Sequence, residues 1–430
     1  MSSPAIPSFL STNNVHRQVL ENGLSVLALE NHKTPTVTCM IWYRVGSRHE
    51  RSGETGRSHF LEHMLFKGTE VLKKGEIDLL TMKNGGSNNA FTSYDFTAYY
   101  FSFASDRWER ALYVEADRMV NTVFEPEEFE SEKNVVLEEL KANLDQPWGL
   151  LMQELNAHAF EVHPYRNPVV GLQVDLKRTD IANMEDYYRA HYHPGNATLV
   201  MVGDFNAAAT LKKVGKIFGA LPSRGPAAVT VTEEPQQKRE KRVEIKWRSD
   251  IPRVGIAFHA PQIGHEDSYS LHVLSAVLAE GKASRLYQRL VEGDAIATFA
   301  TAEYGESEDP TLFYIRAEVR GSSATGSIEK GIFEELERIA RDGVSDEELS
   351  RAKHQIEAQF VMSRERNLDQ AILLGQIATL ADLDYIDSYL ANIASVDSRK
   401  IAEACRLYFS EENRTVVWLI PEGEENAVEE

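Results

Sequence analysis

The chain has 430 residues, 42% of them hydrophobic and 26% charged, which is the composition of an ordinary globular protein. That length exceeds what one hydrophobic core serves, so two domains are expected. The formal net charge of −20 argues against a nucleic-acid partner, which needs a basic surface; it suits solubility and would favour basic peptides.

The only two cysteines, Cys39 and Cys405, are far apart in sequence and suggest neither a disulfide framework nor a thiolate metal site. The opening MSSPAIPSFLSTNN lacks a basic region followed by a long apolar run. No stretch reaches the apolar length of a membrane-spanning helix. A soluble, cytoplasmic protein is expected, or a periplasmic one if a leader has been removed.

Taken in chain order, QVLENGLSVLALE (18–30) reads as a hairpin turning at Asn22-Gly23. VTCMIWYRV (37–45) is a buried strand by its apolar, β-branched content. Residues 57–67 read as helix, and GEIDLLTMKNGG as a second helix capped at Gly85-Gly86. NNAFTSYDFTAYYFSF (88–103) reads as two strands turning near Ser93–Asp95. From Asp106 to about Leu144 the pattern is helical with a break near Pro126, and NATLVMVGD (196–204) is another buried strand. A Pro-, Gly- and charge-rich linker spans 221–242. Beyond it come the strand VGIAFHA (254–260), the helix DSYSLHVLSAVLAEG and a closing strand NRTVVWLIP (413–421).

The two halves echo each other. NATLVMV from Asn196 resembles NRTVVWL from Asn413, and SHFLEHMLFKG (58–68) lies on LHVLSAVLAEG (271–281) without gaps. In that register His59 faces His272, while Glu62 becomes Ser275 and His63 becomes Ala276. The expected architecture is a duplicated α+β domain. Residues 1–220 carry a metal site, 221–242 link, and 243–430 form a second copy without it.

The chemistry is concentrated in His59-Phe60-Leu61-Glu62-His63. On a helix, positions four apart share a face one turn apart, so His59 and His63 can grip one metal ion. Glu62 is near the same face and within reach of a water on the metal. Neutral imidazole suits zinc, and a catalytic zinc takes three protein ligands with one open position. The third ligand is sought in EKNVVLEEL (132–140), where helical spacing puts Glu132 and Glu139 on one face. One carboxylate could ligate and the other could hold a histidine N–H. The spacing does not say which, nor does it remove Glu138. Neither cysteine is near the motif, which disfavours a closed structural zinc site.

These residues resemble the pitrilysin family of metallopeptidases (M16), and the resemblance covers most of the chain. It is carried by TGRSHFLEHMLFKGT from Thr55, GGSNNAFTSYDFTAYY from Gly85, HPYRNPVVG from His163 and NATLVMVGD from Asn196. The shorter bacterial members and the catalytic β subunit of the mitochondrial processing peptidase are similar in kind. The resemblance implies one Zn2+ per chain on His59, His63 and Glu139, with Glu132 in support and Glu62 as the catalytic base. It further implies two homologous domains of mixed sheet packed with helices, set in a clamshell dimer around a chamber. Extended peptide substrate would add as a strand beside Asn89, Ala90 and Phe91.

One departure stands out. Active members carry an Arg and a Tyr seven positions apart in the second domain, where this chain has Val291 and Thr298, with Arg289 and Tyr304 nearby but out of register. The departure implies a heterodimer in which a homologous subunit supplies the Arg/Tyr pair. The rival expectation is a non-catalytic peptide-binding or structural subunit of a larger complex. Arg57, where the family has an apolar residue, has no explanation in the sequence.

Overall fold

The computed structural model describes residues 12–225, 231–249, 251–321 and 325–422. The first half builds β1 (Val15–Val19), β2 (Ser25–Glu30), β3 (Thr36–Tyr43), β4 (Ser87–Thr92), β5 (Thr97–Ala104) and β6 (Ala197–Gly203). Its helices are α1 (Arg57–Met64), α2 (Glu76–Lys83), α3 (Glu109–Asn121), α4 (Pro126–Leu144), α5 (Pro147–Ala159), α6 (Gln173–Arg178), α7 (Ile181–His191) and α8 (Ala207–Phe218). The second half builds β7 (Lys241–Trp247), β8 (Arg253–Ala260), β9 (Ala297–Tyr304), β10 (Thr311–Val319) and β11 (Arg414–Pro421). With them go α9 (Ser268–Ala279), α10 (Thr325–Asp342), α11 (Asp346–Met362), α12 (Asn367–Leu380), α13 (Asp384–Ser395) and α14 (Ser398–Tyr408).

The strand orders, β1-β2-β6-β3-β5-β4 and β7-β11-β8-β10-β9, are the same pattern apart from the extra β1. In each sheet the half's early strand runs parallel to its last strand, β2 with β6 and β7 with β11, and the other pairings are antiparallel. The duplication extends to single hydrogen bonds. Asn196 Nδ2 donates to His191 O at 2.9 Å and to Arg44 O at 3.4 Å. Asn413 Nδ2 donates to Tyr408 O at 2.7 Å and to His259 O at 2.9 Å. Each asparagine ties the end of a helix to the neighbouring central strand, which is why the two halves share that residue at the head of their last strand.

β3 and β6 lie in the middle of the first sheet and are buried along almost their whole length. This accounts for their unbroken apolar sequences, since both faces are covered. One face packs on α1, α3 and α4 in a core that includes Phe60, Phe101, Phe129 and Val136. The other face is covered from the second half: Ala371, Leu374 and Ile377 of α12 lie on Met40, Trp42, Val200 and Val202. The converse also holds. Leu155 and Ala159 of α5 lie on Ala257, Leu312 and Val417 of the second sheet. Each half therefore lends a helix to the other's sheet, and a glycine makes room at each crossing. A Cβ on Gly375 of α12 would sit 1.9 Å from Trp42 Nε1, and one on Gly255 of β8 would sit 2.5 Å from Leu151 Cδ2.

Some expected boundaries move. The first helix stops at Met64 rather than running to residue 67, and 65–67 form a turn. β1 begins at Val15, so the first hairpin is longer than expected. The linker's last two residues already belong to β7, while 226–230 of it and residues 1–11 lie outside the described residues. Among the described residues no helix is long and apolar enough to cross a membrane.

Gly375→Ala should lower the melting temperature, because overpacking a filled site costs about 1–3 kcal/mol. Gly215→Ala, in the interior of α8 with nothing within 4 Å of its would-be Cβ, should raise stability by about 0.5–1 kcal/mol. Thermal unfolding of the two variants checks both signs.

Candidate metal centre

The site is built on α1, and α1 is held by a carboxylate from outside it. The N-cap residue Gly56 has a φ of +88° and no side chain to satisfy the exposed N–H groups. Glu50 does so instead, accepting from Gly56 N and Ser58 N at 2.7 Å each. Burial pushes its carboxyl up to about 8 despite the downward pull of those bonds. Phe60, Leu61 and Met64 are fully buried and fix the roll of the helix. His59, Glu62 and His63 are left on the remaining face. Arg57 reaches Glu54 at 3.2 Å, which gives it a partner on the preceding loop.

α4 crosses α1 with Phe129 against Phe60, ring centroids 4.7 Å apart. Phe129, Glu132, Val136 and Leu140 form its buried stripe. Glu132 therefore points inward and Glu139 sits at the edge of the crossing. Glu138, by contrast, is 77% exposed and faces Lys141. Glu139 lies 3.7 Å from His59 Nε2 and 3.5 Å from His63 Nε2. Donors bound to tetrahedral zinc at its usual bond lengths lie about 3.3–3.5 Å apart, so this trio fits such an ion with little adjustment. His59, His63 and Glu139 can each offer one ligand atom with all three within 4.8 Å of one another. Glu132 Oε1 meets His63 Nδ1 at 2.9 Å and so orients that ring with Nε2 toward Glu139. His59 Nδ1 is buried and has no hydrogen-bond partner among the described residues.

The electrostatics suit metal binding. Burial, assisted by neighbouring His63, pulls the His59 imidazole down to about 4, which keeps it neutral with a free lone pair. Burial raises the Glu62 carboxyl, and Thr92 and His63 partly offset this. The Glu132 carboxylate is held below its ordinary range: burial opposes this, but hydrogen bonds from Lys67 and His63 outweigh it.

Glu62 is steadied by Thr92, whose hydroxyl donates to Glu62 Oε2 at 2.5 Å. Thr92 ends β4, the edge strand of the first sheet, which pairs with β5 on one side only. Along β4, Asn89 is exposed, Ala90 is buried, and Phe91 packs edge-on to Trp42 at 5.6 Å. A cavity of about 590 Å³ opens beside them, lined by His59, Thr92, Glu139, Trp148, Met152 and Val170 among others. The loop after His163 supplies part of the wall, and Tyr165 anchors it by donating to Asp95 at 2.6 Å.

Sequence reasoning brought out the two histidines and the three acidic residues now found together. It missed Thr92, Trp148, Lys67 and Glu50. Lys67 carried a readable signal, since it follows His63 by four positions; Glu50 reaches α1 from the loop just before it, and Thr92 and Trp148 are brought to the site by distant parts of the fold.

The second half holds a blank copy. Matching buried Glu132 and Val136 of α4 with buried Ala352 and Ile356 of α11 places Gln359 opposite Glu139. With Ser275 and Ala276 on α9, the pattern keeps only His272. That ring pairs with Glu306 at 3.0 Å, and Glu306 also accepts from Tyr385 at 2.7 Å. Nearby, Arg289 is engaged by Asp294 and Glu334, and Tyr304 is buried with its hydroxyl on Pro261 O. Ala295, beside Val291 and Thr298, has a φ of +52°, a conformation that favours glycine.

Residues 25–172 match the family model described as insulinase, peptidase family M16, and residues 179–356 match that of the peptidase M16 inactive domain. The zinc protease PqqE of Helicobacter pylori is 28% identical over 94% of this chain and 92% of its own length. A more distant relative is the probable mitochondrial-processing peptidase subunit beta of Arabidopsis thaliana, 26% identical over 93% of this chain and 77% of its own. A crystal structure of a protease from Helicobacter pylori superposes with a TM-score of 0.91 at 27% identity, covering 95% of this chain and 99% of that one. With a duplicated fold of the same shape and a convergent His/His/Glu cluster on its first half, the chain belongs to peptidase family M16, the pitrilysin family of zinc proteases.

Proposed function

We propose that this chain is a zinc-dependent endopeptidase that hydrolyses extended peptides, with one Zn2+ held by His59, His63 and Glu139 and with Glu62 as general base. The observation that carries this reading is the convergence of two imidazoles and the Glu139 carboxylate within 4.8 Å, with a second, half-buried carboxylate, Glu62, beside the histidines on α1. Zinc held there would supply Lewis acidity, acidifying water and polarising the scissile carbonyl. Glu62 takes the proton of the attacking water and hands it to the leaving amine. Burial raises its pKa, which makes it a stronger base than an exposed carboxylate, and Thr92 leaves the other carboxylate oxygen available. Peptide adds along the free edge of β4 at Asn89–Phe91, so main-chain hydrogen bonds supply affinity with little sequence preference. Residues 1–220 form the catalytic half and the stretch from β7 at Lys241 onward serves as the metal-free half, with the link between them.

The chain works with a homologous subunit that contributes the Arg/Tyr pair absent at Val291 and Thr298. The name of the Arabidopsis relative, a subunit of a processing peptidase, supports this arrangement. A second reading, a non-catalytic peptide-binding or structural subunit, draws on the same absence. The complete His59, Glu62, His63 and Glu139 set argues against it.

Glu62→Gln should keep zinc and abolish cleavage of a long, unstructured peptide; wild-type turnover in that variant would remove Glu62 from the mechanism. Glu139→Ala should weaken zinc binding more than Glu132→Ala, for which about 10–100-fold is expected. Chelator competition ranks the two, and the reverse order would mean that their roles are exchanged. The purified, zinc-loaded chain alone should cleave poorly and gain activity with a subunit bearing the pair. Robust cleavage by the chain alone would overturn the heterodimer reading.

A further inference from the structure

Beyond the residues already given roles, one side chain closes a loop around the centre. Lys67 lies in the turn after α1, where its main-chain N–H donates to Met64 O at 3.0 Å. Its ammonium lies 2.5 Å from Glu132 Oε2, while Glu132 Oε1 lies 2.9 Å from His63 Nδ1. Both oxygens of one carboxylate are thus used by groups from a single segment, four residues apart. The pair is largely withdrawn from water, with 20% of the Lys67 side chain and 9% of that of Glu132 exposed. In such surroundings an ion pair is sensitive to the loss of one member, because the other is left charged and buried.

The geometry has two consequences. The first is orientational. A carboxylate pinned at one oxygen presents the other in a set direction, which keeps the proton of His63 on Nδ1 and the lone pair of Nε2 toward Glu139. The second is electrostatic. Glu132 and Glu139 flank the His63 ring at Nδ1 and Nε2, and Glu62 precedes it on the same helix, so three carboxylates surround the two imidazoles. A single dication is balanced by two carboxylates, and Lys67 balances the third. With its charge met and both oxygens engaged, Glu132 has no reason to swing toward the ion as a competing ligand.

We propose that Lys67 is a positioning residue of the metal centre: it anchors Glu132, and through it selects the tautomer and direction of His63. This rests on the reading of His59, His63 and Glu139 as the zinc ligands.

The test uses the full chain and its Lys67→Met and Lys67→Arg variants. Methionine keeps the apolar stem without the charge, and arginine restores it. Three measurements are made: zinc affinity by chelator competition, the ring 15N shifts of His63 in the zinc-free protein, and the zinc-free melting temperature. Lys67→Met should lose about 10–100-fold in zinc affinity, as other outer-shell partners do, and Lys67→Arg should recover most of it. The 15N shifts should report the Nδ1–H form in the wild type and a mixture in Lys67→Met. Wild-type affinity and an unmixed tautomer in Lys67→Met would overturn the proposal. So would a zinc loss that arginine does not repair. Should Lys67→Met fail to fold, Lys67→Gln takes its place with the same expectations. None of these readouts needs turnover. A wild-type chain that binds zinc but cleaves nothing even with a subunit bearing the Arg/Tyr pair would defeat the peptidase reading and leave this one standing, whereas a wild type that binds no zinc would defeat both.

Discussion

The crossing of α1 on α4 is the constraint on which the centre depends. Phe60 and Phe129 meet at 4.7 Å, and with Leu61, Met64 and Val136 buried around them neither helix can roll or slide by a residue. A roll of one position would carry His59 and His63 away from Glu139, since neighbouring residues on a helix do not share a face. The donors converge because apolar packing underneath them permits one arrangement. Glu50 adds the axial restraint by holding the first N–H groups of α1, so the helix is fixed at its start, along its underside and, through Lys67 and Glu132, at its end.

Duplication explains both what the second half keeps and what it lacks. The strand order, the parallel pairing of early and late strands, and the asparagine clamps at Asn196 and Asn413 all serve the sheet, and both copies have them. Glu62, His63, Glu132 and Glu139 belong to the candidate metal centre, and their counterparts by register are Ser275, Ala276, Ala352 and Gln359. The surviving His272 is bound to Glu306 instead.

The reciprocal loan of α5 and α12 makes the two halves one body. Each sheet buries its second face under a helix from the other half, and the glycines at those crossings let helix and sheet approach closely. The lent α5 also carries Trp148 and Met152 into the wall of the cavity beside His59. A helix whose main packing is on the second sheet thus shapes the site on the first.

What the sequence determined by itself is local and periodic. Helical spacing put His59 and His63 on one face, the Asn22-Gly23 turn set the first hairpin, and uninterrupted apolar runs marked β3 and β6. The echo of Asn196 in Asn413 disclosed the duplication. Each of these follows from the geometry of a single element, in which the chain's own repeat fixes which residues share a face. The choice between Glu132, Glu138 and Glu139 did not follow from the spacing, because three carboxylates on one helix differ only in what lies across from them. Tertiary structure decided it: Glu132 faces His63 Nδ1, Glu139 faces both Nε2 atoms, and Glu138 faces solvent. The same holds for Thr92 on Glu62, Glu50 under α1, Trp148 in the cavity wall and the exchanged helices. Their partners lie from several to hundreds of residues away, and no period along the chain records a contact made by packing two distant segments.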